Sequence, residues 1–590
     1  MPGAAPFGGV SGPVPPAWPG QAPGSQAGQP VQSGQGAGHQ PVQPGQPVQP
    51  GQPVQPVQAG QPVQLNQEPG HQPGQFDPAA PRRPDPSGQA SPPAEPPAGG
   101  PPAAEPPVPR RRARLVAGLA GVLVFGLAAA GVAVVRPGPV AGWLGAEPGA
   151  PAAEADPTEP PPPPVLAPAG GTAPAPTPEG VRAALDSLVR GGALGDTVNI
   201  SVVDLVNGEV LFAQGQDAPT VPASTTKLVT AATVLATRGP AYRITTRVVA
   251  GTQPGEVVIV GAGDPTLAVN GTGWYPGAGR LDRLAEQVKK ALGGTKPTRV
   301  LVDGSLYPGP ETGPGWDADA AIGGFGARIT AFMTDGARIT PKYHGPGGQA
   351  RHPDPDLAAG RAFARELGLP ASAVAEGSAP AAPGSASAGP GGVPAPGTEL
   401  GRVESPPVVR LVEFMLEDSD NVVAEALARQ VALARGKPAS FEGAAAAMDE
   451  VVAELGLPAQ ESDLADGSGL SRSNRLTPRL LTDLLTLAAK GSRPELGSLF
   501  PGLPVAAWSG SLSTRFDRSD GAHPTTVGAG VVRAKTGTLS GVHAISGTVT
   551  TADGRLLAFA ILANKVPGTT DQARTALDRI AAALAACGCR

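Results

Sequence analysis

Two patterns, one at each end of the stretch Pro178–Arg590, constrain the fold of this chain more than any other feature. At the amino end "PEGVRAALDSLVR" has helical spacing, and "VNISVVDLVNGEVLFAQGQ" reads as two strands around an Asn207-Gly208 turn. At the carboxyl end "VVRAKTGTLSGVHAISGTVTTADGRLLAFAILANK" reads as two strands joined at Asp553-Gly554, and "DQARTALDRIAAALAA" reads as a closing helix. Helix and hairpin at one end, hairpin and helix at the other, predict one antiparallel sheet built from both termini and flanked by helices. The fold class is α+β.

Between these ends, "VPASTTKLVTAATVLA" places a serine at the mouth of a helix. Pro222 suits a helix start, and Leu228, Val229, Ala232, Val234 and Leu235 recur at helical spacing, so Ser224 falls in or just before the first turn. Its hydroxyl then lies near unpaired backbone N–H groups and the positive end of the helix dipole. Lys227 stands three residues on, on the same face. A lysine desolvated in a cleft can lose its proton and turn a neighbouring hydroxyl into a nucleophile. An N-cap serine followed by a solvated lysine is the plainer reading of these four residues alone.

Two further pieces decide between them. In "VVRLVEFMLEDSDNVVAEALARQ" the residues Ser419, Asp420 and Asn421 break two helical patterns, a corner from which serine and asparagine can hydrogen-bond Lys227 and a substrate amide. Lys535, Thr536 and Gly537 open the first carboxyl-terminal strand, where a cation, a hydroxyl and a free strand edge suit a substrate that ends in a carboxylate and pairs as an added strand. The order S-x-x-K, S-D-N, K-T-G resembles the signature of penicillin-binding proteins and serine β-lactamases.

Further stretches narrow the resemblance: "GAGDPTL" (261–267), "VDGSLYPGPETGPGWD" (302–317), "ITAFMTDGARI" (329–339) and "DGSGLSRSNRLTP" (466–478). With them the chain from Pro178 to Arg590 resembles the D-alanyl-D-alanine carboxypeptidase/endopeptidases, the low-molecular-mass class C penicillin-binding proteins. Lys227 and Ser419 are 192 residues apart, more than a compact β-lactamase uses, and that subgroup inserts domains there. The resemblance implies a β-lactamase/transpeptidase-like domain over 178–241 and 403–590. It also implies an inserted, β-rich part over 242–402, with a low-complexity loop at about 376–398.

The resemblance also implies roles. Ser224 would attack a D-Ala-D-Ala peptide, Lys227 would act as base, and Ser419 would pass the proton to the leaving amine. Asn421 would orient the peptide, and Lys535, Thr536 and Thr538 would hold its carboxylate beside Gly537. The backbone N–H groups of Ser224 and Thr538 would form the oxyanion hole. No cofactor or metal is required. Peptidoglycan peptides and β-lactam antibiotics are the implied partners. A β-lactamase, or a non-turnover β-lactam or wall-binding sensor, are the alternatives.

The rest of the chain bears on placement. Residues 1–109 are dominated by Gly, Pro, Gln and Ala, with "GQPVQP" in tandem, and cannot bury enough apolar surface to fold. The 21 uncharged residues Leu115–Val135 suffice for one membrane-spanning helix. Arg110, Arg111, Arg112 and Arg114 precede this span, which keeps the tail in the cytoplasm and the catalytic region outside. Residues 136–177 read as a Pro/Ala-rich spacer. A net charge of -5 with 16% charged residues gives no footprint for nucleic acid. There is no G-x-S-x-G elbow and no H-E-x-x-H pair. His543 reads as a packed or exposed strand residue. Cys587 and Cys589 could pair with each other, pair across chains or stay free, and carry no catalytic role.

Overall fold

The computed structural model describes residues 172–342, 348–383, 394–519 and 521–590. The Gly/Pro/Gln-rich tail, the Leu115–Val135 span and nearly all of the spacer lie outside them. Among the described residues no helix is long and apolar enough to cross a membrane. The elements run α1 (Pro178–Val189), β1 (Thr197–Asp204), β2 (Val210–Gln214), α2 (Thr226–Arg238), β3 (Thr245–Ala250), β4 (Glu256–Val260), α3 (Leu281–Ala291) and β5 (Arg299–Asp303). They continue with α4 (Pro355–Leu367), β6 (Val374–Glu376), β7 (Glu399–Glu404), α5 (Val408–Glu417), α6 (Asn421–Ala434) and α7 (Phe441–Glu454). Last come β8 (Ser462–Asp463), β9 (Arg475–Leu476), α8 (Pro478–Ala489), β10 (Val532–Leu539), β11 (Val542–Thr550), β12 (Leu556–Asn564) and α9 (Thr570–Ala585).

The expected sheet from both termini is present, in the order β10-β11-β12-β1-β2, with every neighbour antiparallel. β12 explains why. Its run "LLAFAILAN" is apolar throughout, so it can be buried on both faces only in mid-sheet. Leu557, Phe559, Ile561 and Ala563 enter the core shared with α1 and α9. Ala558, Ala560 and Leu562 enter the core shared with α2, α5, α6, α7 and α8. The carboxyl-terminal segment holds three strands rather than the expected two, because Ser540-Gly541, with φ of +70° at Gly541, makes a tight turn inside the first of them. That turn has Ser before Gly instead of Asn or Asp, a weak signal within an apolar run.

The segment between α2 and α5 forms a second sheet, in the order β6-β5-β4-β3-β7. The expectation of strands is met only in part. β4-β5 and β5-β6 are parallel, joined through α3 and α4, which pack on the sheet through Leu281, Leu284, Val288, Ala359 and Phe363. Parallel neighbours require such crossovers. β7 returns antiparallel to β3 and leads to α5. Part of the low-complexity loop, 384–393, lies outside the described residues. At the carboxyl terminus Cys587 and Cys589 are disulfide-bonded to each other. The Cys589 carbonyl accepts from Thr177 N at 2.7 Å, beside the start of α1.

A buried ion pair closes one end of the first sheet. Arg555, just before β12, donates from Nε to Asp204 Oδ2 at 2.8 Å. Breaking such a pair leaves one charge buried alone. Arg555→Ala is therefore expected to destabilise the protein by about 3–5 kcal/mol. In urea unfolding, the Asp204→Ala/Arg555→Ala double variant should lose clearly less than the two single losses together. Additive losses would contradict the pairing.

Candidate active site

Ser224 lies in a single 3-10 turn, Ala223–Thr225, that runs directly into α2. Thr225 and Thr226 hydroxyls donate to the Pro222 and Ala223 carbonyls at 2.8 and 2.9 Å, stitching the turn to the segment before it. α2 is buried from Thr226 to Leu235. The turn at its start is held by the buried Ala223 and Thr225, while Ser224 between them opens on a cleft.

Lys227 follows one turn later and is completely buried. Its Nζ donates to Ser224 Oγ at 3.1 Å, to Asn421 Oδ1 at 2.5 Å and to the Ser468 carbonyl at 2.5 Å. Burial pushes its pKa down to about 8, against the opposing pull of the Asp466, Glu425 and Asp420 carboxylates. Ser224 and Lys227 are therefore in direct hydrogen-bond contact, with the lysine proton held less tightly than on an exposed side chain.

The Ser419-Asp420-Asn421 corner delivers Asn421 and Ser419 to the same cleft. Asn421 binds Lys227 directly, and its Nδ2 donates to the Phe325 carbonyl at 2.8 Å. Ser419, with φ of +56°, stands on the cleft wall and is not a partner of Lys227. Asp420 caps α6 through the N–H groups of Val422 and Val423. Its other oxygen accepts from Tyr275 Oη at 2.7 Å and Arg338 Nη2 at 2.9 Å, both from the inserted part. Burial alone would raise its pKa, but Arg338 and Arg351 and the two donors outweigh burial and hold it well below the carboxylate range.

β10 forms the opposite wall. Its neighbour beyond the sheet, 504–506, pairs only as far as Ala534: Ala506 N donates to Val532 O, and Ala534 N donates to Pro504 O. By the alternation of an antiparallel ladder, the backbones of Thr536 and Thr538 face the same outer edge, past the end of that pairing. Both residues line the cleft, and Thr536 Oγ1 shares a 2.8 Å hydrogen bond with Ser511 Oγ. Gly537 passes so close to the nucleophile turn that a Cβ there would stand 3.0 Å from Ser224 N and 2.8 Å from Pro222 O. Lys535 is buried and donates to the Thr536 carbonyl at 2.7 Å. Burial, with Lys227 and Arg515 nearby, pushes its pKa well below the ordinary lysine value.

The stretch 466–478, singled out in the sequence without a role, supplies the back wall of the site, Asp466–Ser471. Asp466 accepts from Gly469 N, Ser471 N, Asn474 Nδ2 and Trp316 Nε1 at 2.6–2.8 Å, and so fixes the loop whose Ser468 carbonyl meets Lys227. The two glycines around Ser468 were the available signal. A Cβ on Gly469 would come within 1.9 Å of the Ala223 carbonyl, and one on Gly467 within 2.5 Å of Ala428 Cβ. At the rim Arg472 makes a bidentate pair with Asp317 and donates to the Ser540 carbonyl. The cleft has a volume of about 650 Å³. Among the described residues no cluster of three or more His, Cys, Asp or Glu side chains is placed to hold a metal ion.

Comparison with known proteins gives concordant matches. The model of the D-Ala-D-Ala carboxypeptidase 3 (S13) family matches residues 181–380 and 384–585. Carboxypeptidase DacB of Mycolicibacterium smegmatis is 39% identical over 445 residues, which is 74% of this chain and 91% of that protein. The D-alanyl-D-alanine carboxypeptidase of an Actinomadura strain is 29% identical over 65% of this chain and 81% of its own length. Among solved structures, penicillin binding protein 4 (dacB) of Haemophilus influenzae shares the fold. Its TM-score is 0.53 at 21% identity, over 68% of this chain and 97% of that one.

Two glycines separate backbone strain from site geometry. Gly208 (φ +79°) has open space where a Cβ would stand, whereas Gly469 (φ +82°) lies against Ala223 O and Ser224 N. Each Gly→Ala change is expected to cost about 1–2 kcal/mol from its left-handed backbone. Only Gly469→Ala should also slow labelling of Ser224 by a fluorophosphonate probe, by about tenfold or more. Equal labelling of the two variants would show that this contact does not set the nucleophile.

Proposed function

The chain belongs to the D-Ala-D-Ala carboxypeptidase 3 (S13) family, and from that premise we propose that it cleaves peptidoglycan stem peptides as a serine-type carboxypeptidase and endopeptidase, through an acyl-enzyme on Ser224 that β-lactams also form. The observation that carries the reading is the buried Lys227 amine 3.1 Å from the Oγ of Ser224, which shares its cleft with Thr536 and Thr538 of β10.

The peptide lies along β10 as an added strand, its terminal carboxylate at the Thr536 and Thr538 hydroxyls and near Lys535. Lys227 takes the Ser224 proton as Oγ attacks the carbonyl of the penultimate D-Ala. Negative charge gathers on the carbonyl oxygen, toward the N–H groups of Ser224 and Thr538, donors of a kind worth about 3–4 kcal/mol of barrier each. Ser419 carries the proton onward to the departing amine as the C–N bond breaks. Water then enters and gives a proton to Lys227 as its oxygen bonds the acyl carbon, and that proton passes to Ser224 Oγ as the acyl C–Oγ bond breaks. Burial, with Lys227 and Arg515 nearby, disfavours the ammonium form of Lys535, and the incoming carboxylate is the counter-charge that favours it.

Incubation of the purified protein with a stem pentapeptide ending in D-Ala-D-Ala should give, by mass spectrometry, a product lighter by one alanine. A cross-linked dimer of the same peptides should split. Ser224→Ala should abolish both, and a peptide with an amidated terminus should react about tenfold more slowly or worse. An unchanged rate in Ser224→Ala would remove the nucleophile assignment. Rapid turnover of penicillin, in place of a lasting Ser224 adduct, would favour a β-lactamase.

We also propose that the Leu115–Val135 segment tethers the enzyme to the membrane with residues after Arg136 outside, on the strength of the arginines at 110–112 and 114. Protease added to wall-stripped intact cells should then remove the catalytic region. Its survival would reverse the orientation.

A further inference from the structure

Beneath Lys227 lies a second charged group that the mechanism above does not use. Glu425 sits on α6 four residues after Asn421, so both side chains leave the helix on the face turned toward Lys227. It is fully buried. Its Oε1 accepts two backbone N–H groups, Gly467 N at 3.1 Å and Ser468 N at 2.8 Å. Its Oε2 accepts from Arg429 Nη1 at 3.3 Å. Arg429 is stacked on the Phe441 ring at 4.1 Å and also donates to the Glu425 carbonyl. The residue whose N–H Glu425 grips most closely, Ser468, is the one whose carbonyl accepts from Lys227 at 2.5 Å. α6 thus reaches the same ammonium twice, directly through Asn421 and indirectly through Glu425 and Ser468.

We propose that Glu425 is a positioning residue of the acylation step: it holds the Ser468 carbonyl against Lys227 and supplies one of the negative charges that govern the Lys227 proton. Burying a carboxylate together with its guanidinium partner Arg429 is costly, and the two backbone N–H groups could have been met by a neutral acceptor. The site therefore uses the charge. The other charged or titratable groups around the pair are Asp466 on the back wall, Arg429 on α6, Tyr307 from the inserted part, Lys535 on β10 with Arg515 beyond it, and Asp420 at the α6 cap, neutralised by Arg338. Burial, followed by Asp466, pushes Glu425 up to about 7, next to Lys227 at about 8. The two groups therefore titrate in neighbouring ranges and each favours the other's charged form. Ionised Glu425 retains the ammonium to higher pH, and its loss moves Lys227 toward the free base at lower pH.

The inference rests on Ser224 and Lys227 acting as the acylating pair. The experiment is the rate of Ser224 acylation by a fluorescent penicillin from about pH 6 to 10, with the fraction finally labelled, for the full-length protein and three variants. Glu425→Gln keeps an acceptor for Gly467 and Ser468 but not the charge. Its rising limb should move to lower pH by about half a unit to one unit, with labelling still near one per chain. Glu425→Ala loses both contributions, so its plateau rate should also fall by about tenfold or more. Glu425→Asp keeps the charge and should restore the limb toward its wild-type position. An unmoved limb in Glu425→Gln, or losses in Glu425→Ala that only track a smaller labelled fraction, would overturn the role. A wild-type protein that takes no label at Ser224 would instead remove the acyl-enzyme reading on which the inference stands.

Discussion

A lysine amine cut off from water is the constraint around which this molecule is organised. An ammonium in an apolar interior is unfavourable by several kcal/mol unless acceptors replace its hydration. Lys227 has three acceptors, and each comes from a different part of the chain: Ser224 from the turn before α2, Asn421 from the start of α6, and the Ser468 carbonyl from the loop after β8. Displacing any of these segments would leave the amine short of an acceptor. The packing of α2 between α6 and the first sheet and the small residues at Gly467, Gly469 and Gly537 follow from that requirement. Strain gathers at the same place. Ala223 and Ser419, neither of them glycine, both have φ in the left-handed region, at φ +47° and +56°. Backbone so placed persists only where its surroundings over-determine it.

The inserted part belongs to this arrangement. Arg338 reaches from it to Asp420 and lies over the Trp274 ring at 4.2 Å, while Tyr275 binds the same carboxylate. Trp316 donates to Asp466, and Phe325 offers its carbonyl to Asn421. The aspartate of the S-D-N corner and the aspartate of the back wall are therefore both held from the insertion. Asp335, Gly336 and Ala337 all have positive φ just before Arg338, a local cost accepted where the guanidinium must be aimed.

What the sequence revealed and what it concealed divide along physical lines. The two ends of the first sheet were readable because Asn207-Gly208 and Asp553-Gly554 are strong turn signals between apolar runs. Ser540-Gly541 is a weaker one, and the strand pair it makes was merged into a single strand. Ser224, Lys227, Ser419, Asn421, Lys535, Thr536, Gly537 and Thr538 were readable as short patterns, and the fold brings them to one cleft and its buried floor. Ser468 was not readable, because it contributes a backbone carbonyl, which any residue type carries. Glu425 reads in sequence as one more residue of a helix, and its burial is a property of packing alone. The helices α3 and α4 are masked in the sequence by the β-branched runs of β3, β4 and β5, which carry the stronger local signal and which they cover.

The two lysines of the site show how an empty cleft can be prepared for an anion. Lys227 is surrounded by Asp466, Glu425 and Asp420, and its proton is finely balanced. At Lys535 burial comes first, and Lys227 and Arg515 add to it in disfavouring the charged form. A carboxylate at Thr536 and Thr538 would favour the ammonium form of Lys535, and its negative charge would offset that ammonium at Lys227. An anion that arrives together with a proton on Lys535 therefore adds no net charge beside Lys227, whose balance stays with Asp466, Glu425 and Asp420. The edge strand and the helix behind it thus carry two separate electrostatic settings, a lysine whose charge burial disfavours and a lysine balanced by buried carboxylates.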